Sequence, residues 1–124
     1  MAEKKIAGIK NCPVPQGAAE DFETAQVFDK VRVGRLGVYY KDGFKIRIAP
    51  YDYVERVFIR IQEVNGRMCC GNTTFAYFRL VFVHGGKEVA DVISEKEEAM
   101  DAALERIREL APHVAIGFTA KEGA

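Results

Sequence analysis

RLGVYYKDGFKIRIAP, residues 35–50, decides the fold. Leu36, Val38 and Tyr40 alternate with Arg35, Gly37 and Tyr39, a period of two that belongs to a β-strand and not to a helix. Asp42-Gly43 supplies the tight turn, because this pair tolerates the positive φ angles that short hairpins need. Phe44, Ile46 and Ile48 then resume the alternation, which predicts Lys45 and Arg47 facing outward. Pro50 ends or bends the strand.

The same period extends outward on both sides. AQVFDKVRV (25–33) reads as a first strand, and YVERVFIRIQEV (53–64) as a fourth, with Val57, Ile59 and Ile61 on one face. Asn65-Gly66 predicts a hairpin turn, and FAYFRLVFV (75–83) is apolar at both parities, as in a strand covered on both faces. Gly85-Gly86 predicts a further hairpin and a last strand over residues 87–93. Six strands are legible in this way. From Ser94 the period changes to that of a helix: Ser94 and Glu97 have capping-box spacing, and Met100, Ala103, Leu104, Ile107 and Leu110 form one apolar stripe before Pro112. Residues 1–21, with Gly8, Pro13, Pro15 and Gly17, read as a flexible or strap-like lead-in. Residues 22–118 read as a single domain, and 119–124 as a disordered tail.

A chain of 124 residues can close one core without disulfides or metals. No apolar run approaches the roughly 18 residues needed to span a bilayer, and the N-terminal stretch lacks a signal-type apolar segment, so a cytoplasmic location is expected. Three cysteines, two of them adjacent at Cys69 and Cys70, suit free thiols better than a disulfide framework. With His84 and His113 as the two imidazoles, no metal or other cofactor is expected. The net charge is zero but divided: residues 30–67 hold nine basic and four acidic side chains, residues 88–109 eight acidic and three basic. This split bears on association.

GRLGVYYKDGFKIRIAPYDYVERVFIRIQEV (34–64), followed by more strands and one amphipathic helix, resembles the bacterial and GRAM-type members of the pleckstrin-homology superfold. The resemblance covers about residues 22–111. It implies a mainly β protein, a pleckstrin-homology-like antiparallel bent sheet or partly open barrel of six to seven strands closed by one C-terminal α-helix. The seventh strand is either unseen or a long strand bent in two. The closing helix lacks the tryptophan of many eukaryotic members.

Lys41, Lys45 and Arg47 have a K-x3-K-x-R spacing similar to the signature with which some pleckstrin-homology domains hold inositol phosphates. Arg60 and Arg56 would join them if the hairpin and the 54–64 strand were neighbours. An ordinary solvated strand face explains the same residues. Cys69 and Cys70 with His84 raise a thiol-nucleophile reading, against that of two inert thiols, and Asp52 with Glu55 an acid-base pair, against solvated charges. The Tyr77, Val81 and Val83 face requires a cover from the opposing sheet, the lead-in or a second copy of the chain. Together these features lead to a non-catalytic binding or scaffolding module that meets a protein partner through loops or a sheet edge. Anionic headgroup or phosphate binding by Lys41, Lys45, Arg47 and Arg60 is one alternative, with an anionic membrane surface as partner. A small-ligand-binding or thiol-dependent enzyme is the other. Nucleic acid is disfavoured by the neutral total charge, and a homodimer stays open.

Overall fold

The computed structural model describes residues 6–68, 71–117 and 120–121, with backbone only for 63–68, 71–75 and 120–121. The order of elements is β1 (Ile6–Gly8), a 3-10 turn (Ile9–Asn11), α1 (Ala18–Thr24), β2 (Gln26–Phe28), β3 (Val31–Val33), β4 (Gly37–Asp42) and β5 (Lys45–Pro50). Then follow β6 (Arg56–Met68), β7 (Gly71–His84), β8 (Lys87–Ser94), α2 (Glu97–Leu110), β9 (Ala115–Ile116) and β10 (Ala120–Lys121). The chain is mainly β, in two sheets that do not close into a barrel. One sheet has the order β1-β5-β4-β3-β2, and the other β10-β6-β7-β8 with β9 also on β6. No helix among the described residues is long and apolar enough to cross a membrane.

AQVFDKVRV is not one strand. It folds back at Asp29, whose φ of 54° places it in the left-handed region that Asp tolerates, so that Phe28 pairs with Val31 and Gln26 with Val33. The antiparallel meander from β2 to β8 thus contains seven strands, four in one sheet and three in the other. Asn65-Gly66 does not turn either. Pairing runs on through Asn65 with Thr74 to Met68 with Gly71, and the connection passes through Cys69 and Cys70, which lie outside the described residues.

The lead-in belongs to the fold. β1 runs parallel to β5, the 3-10 turn seats Ile9 in the core against β5 and β8, and α1 packs Ala18 and Phe22 on Tyr39 and Ile48. At the other end β9 and β10 pair in parallel with β6, so residues 120–121 of the expected tail are strand.

The main core lies between the sheets. Val31, Val33, Val38 and Ala49 face Val57, Ile59, Phe78, Leu80 and Phe82, while Met100, Ala103 and Ile107 of α2 fill one side. Tyr40 stacks on Phe82 at 6.4 Å between ring centroids and ties one sheet to the other. The apolar stripe of α2 packs as expected, but the capping box does not form. Lys96 occupies the N-cap, and the buried Ser94 donates instead to Asp29 Oδ2 at 2.5 Å and accepts from the Lys96 amide at 3.0 Å.

The alternation in β4 and β5 serves two cores. Tyr39 pairs with Ile48 on the α1 face, and Val38 with Ala49 on the main-core face. Arg47 is therefore not simply outward: it pairs with Tyr40 and extends the main-core face toward the hairpin end.

Val81 is fully buried although it points away from the core. Its cross-strand neighbours on that face are Phe58 and Asp91. Arg60 on β6 forms a two-bond ion pair with Glu88 on β8, so its side chain passes over β7 in the row between Arg79 and Val83. Arg79 bonds Gln62 and Asp91 beside it. The cover sought for this face is a layer of long side chains, whose apolar stems exclude water while their charged ends remain wet.

Candidate binding surface

The four sequence-predicted basic residues do not converge. Cross-strand pairs share a face, so Lys41, paired with Ile46, lies on the side opposite Lys45 and Arg47, which pair with Asp42 and Tyr40. Arg47 is occupied: its Nε donates to Asp42 Oδ2 at 3.0 Å and its Nη1 to the Gly8 carbonyl at 3.3 Å. Arg60 belongs to the other sheet, since β5 and β6 do not pair. Its bonds to Glu88 hold that carboxyl below the usual carboxylate range. Arg60 and Arg56 both lie over the Phe58 ring, at 5.3 and 5.9 Å.

A different constellation forms at the hairpin end of the first sheet. Gly43, at φ 65°, makes the β4–β5 turn with nothing around it, and Phe44 beside it is fully exposed. The expectation that Phe44 faces inward fails because no layer stands opposite the tip of a hairpin that projects beyond the core. Lys41 and Lys45 flank it and have no ion pair among the described residues. The neighbouring β2–β3 turn adds Lys30, and between the two hairpins lies a cleft of about 400 Å³ lined by Phe22, Val27, Lys30, Arg32, Lys41 and Ile46 among others.

The chemistry of this rim is amphiphilic. Val27 is 57% exposed at its edge. Arg32 lies 4.2 Å over the Phe22 ring and donates to the Phe22 carbonyl at 3.3 Å, which fixes it as part of the wall. Asp29 also lines the cleft, with its Oδ2 accepting from Ser94, so one carboxylate stands among the basic groups of the rim. Burial pushes the Tyr40 hydroxyl up to about 12 and raises that of Tyr39 further, the latter helped by its bond to Asp21. Both stay neutral near pH 7. On the α2 side, Glu95 borders the turn and sets an acidic limit to the basic rim.

Sequence reasoning missed Lys30 and Arg32 because the bend at Asp29 was read through. The Asp between Phe28 and Lys30 was the signal, since Asp is among the residues that tolerate the left-handed region.

The other candidates are dispersed. Cys69 and Cys70 lie outside the described residues, and Cys12, the cysteine that is described, is buried with its thiol pKa raised by that burial. His84 stacks on Tyr53 at 3.9 Å, bonds the Tyr53 carbonyl at 2.7 Å through Nδ1, and has Glu55 at 3.8 Å. Because a carbonyl only accepts, Nδ1 carries a proton. Asp52 and Glu55 are exposed on the β5–β6 connection. Among the described residues no group of three His, Cys, Asp or Glu could hold a metal ion.

No curated protein and no solved structure matches the chain. A family model described as a domain of unknown function (DUF6709) matches residues 18–124, from the first residue of α1 onward. That match takes in both helices, the whole meander and the C-terminal strands, and the chain belongs to the DUF6709 family.

Proposed function

We propose that this chain is a non-catalytic binding module of pleckstrin-homology-like architecture that docks on an anionic lipid surface through its β4–β5 hairpin and β2–β3 turn. The four-strand and three-strand meander followed by α2 supports the architectural part. The observation that carries the functional part is Phe44, fully exposed at a hairpin tip between Lys41 and Lys45. An aromatic ring held in water by the fold gains about 2 kcal/mol on entering an apolar layer. Each lysine near an anionic headgroup plane adds about 1 kcal/mol. With Lys30, Lys41 and Lys45 the total is about 5 kcal/mol, which is weak, reversible attachment.

A protein partner is favoured at a different place. Among the described residues β8 pairs with β7 alone, and Ile93 on it is exposed, which suits addition of a partner strand at that edge.

Co-sedimentation separates the two readings. The lipid reading expects the protein to pellet with phosphatidylserine-containing vesicles at low salt, and to stay in solution with phosphatidylcholine alone or after Lys41→Ala with Lys45→Ala. Wild-type protein that stays in the supernatant with anionic vesicles removes the lipid reading and leaves the edge strand.

A further inference from the structure

A second cleft, of about 610 Å³, lies between α1, the β3–β4 connection and the last turns of α2. Its floor is fixed by Asp21, 8% exposed, whose carboxylate accepts from the Arg35 amide at 2.8 Å, the Leu36 amide at 2.9 Å and the Tyr39 hydroxyl at 2.7 Å. Tyr51 donates to the Gly34 carbonyl at 2.7 Å and closes the floor from the core side. A β-carbon at Gly34 would overlap the Asp21 carboxylate and the Tyr39 ring, so this close approach requires glycine. With both its oxygens engaged, Asp21 is architecture and not a ligand group.

The walls combine apolar surface from Ala25, Val33, Leu36 and Leu110 with two guanidinium groups, Arg35 and Arg106. Arg35 makes no side-chain hydrogen bond or ion pair among the described residues. Arg106 gives Nη1 to Glu109 Oε1 at 3.2 Å, while its Nε is withdrawn from water with no partner among them. Such an unmade bond is costly, and most buried donors in proteins avoid it. The arrangement at Arg106 is specific. A guanidinium presents Nε–H and Nη2–H along one edge, which accepts both oxygens of a carboxylate side by side. Glu109 holds the far nitrogen, Nη1, and leaves that edge unclaimed at Nε.

We propose that this cleft binds a small organic carboxylate with an apolar body. The carboxylate pairs side-on with Nε and Nη2 of Arg106 after a small rotation of that side chain, Arg35 supplies a second positive contact, and the body lies on Leu36 and Leu110. Glu20 and Asp21 also border the cleft and balance the two arginines, so a monoanion is favoured over a phosphate or other polyanion.

Titration of the full chain, labelled with 15N, by 4-phenylbutyrate tests the site. Saturable shifts are expected in the amides of Arg35, Leu36, Arg106 and Leu110. The neutral analogue 4-phenylbutyramide should bind at least about ten-fold more weakly, as loss of one charge-assisted pair implies. Arg106→Lys keeps the charge and loses the edge, and should weaken binding by a similar factor. Equal binding of acid and amide by wild-type protein, equal binding by Arg106→Lys, or no saturable shift at these four amides would each overturn the proposal. The comparison of acid with amide needs no variant, so it decides the matter even where Arg106→Lys fails to fold.

Discussion

The hydroxyl of Ser94 donates to Asp29 Oδ2 at 2.5 Å across 65 residues of chain, joining the end of β8 to the β2–β3 turn. The bond holds the turn against the start of α2. Ser94→Ala removes a buried donor and leaves Asp29 without it. A loss of about 1–2 kcal/mol in urea unfolding is expected, together with altered amide shifts at Asp29 and Lys30. An unchanged midpoint would show that the bond does not hold the turn.

Asp21 ties α1 to the β3–β4 connection through three donors. An asparagine there keeps one acceptor oxygen and turns an NH2 group toward donors that need an acceptor. Asp21→Asn should cost about 2–4 kcal/mol, read as a lower urea midpoint at constant slope.

Tyr39, Tyr40 and Tyr51 have hydroxyl pKa values raised by burial, Tyr40 to about 12. In the unfolded chain they ionise near pH 10. A raised folded-state value favours the folded state fully below the unfolded pKa, and the contribution is lost as pH rises from about 10 to 12 and beyond. Urea midpoints should therefore show no tyrosine-dependent fall between pH 8 and 9 and should drop above pH 10. The tyrosinate absorbance of these three residues should appear with unfolding and not before it.

Arg60 covers Val81 as well as pairing with Glu88. An exposed ion pair alone is worth about 0.5 kcal/mol. Because the stem is lost too, Arg60→Ala should cost more, about 1 kcal/mol or above, whereas Glu88→Gln should cost less than Arg60→Ala. Equal effects in thermal unfolding would mean that the stem shields nothing.

The strand periods at 36–40 and 57–61, the turn at Gly43 and the stripe Met100, Ala103 and Ile107 were legible because each depends on neighbours within a few residues. What was missed depends on distant pairing. Asn65-Gly66 has the local chemistry of a turn, but the register that continues to Met68 and Gly71 overrides it. Ser94 has the local spacing of a cap, but Asp29 offers a stronger acceptor from across the fold. Phe44 fits the alternation of β5, yet alternation implies burial only where a second layer stands opposite. The occupation of Arg47 by Asp42 and Gly8, and of Arg60 by Glu88, is fixed by cross-strand geometry that spacing along the chain does not encode. Asp21 was an isolated carboxylate in a lead-in, and its donors lie 14 to 18 residues downstream.

The chain contains no tryptophan, so Phe44→Trp places a single indole reporter at the hairpin tip. Docking of the tip on an anionic lipid surface predicts a blue shift of its emission when phosphatidylserine-containing vesicles are added. The shift should be reversed by high salt and absent with phosphatidylcholine alone. Emission that stays at the position of a water-exposed indole with anionic vesicles present, in a variant that unfolds at the wild-type urea midpoint, would contradict the account.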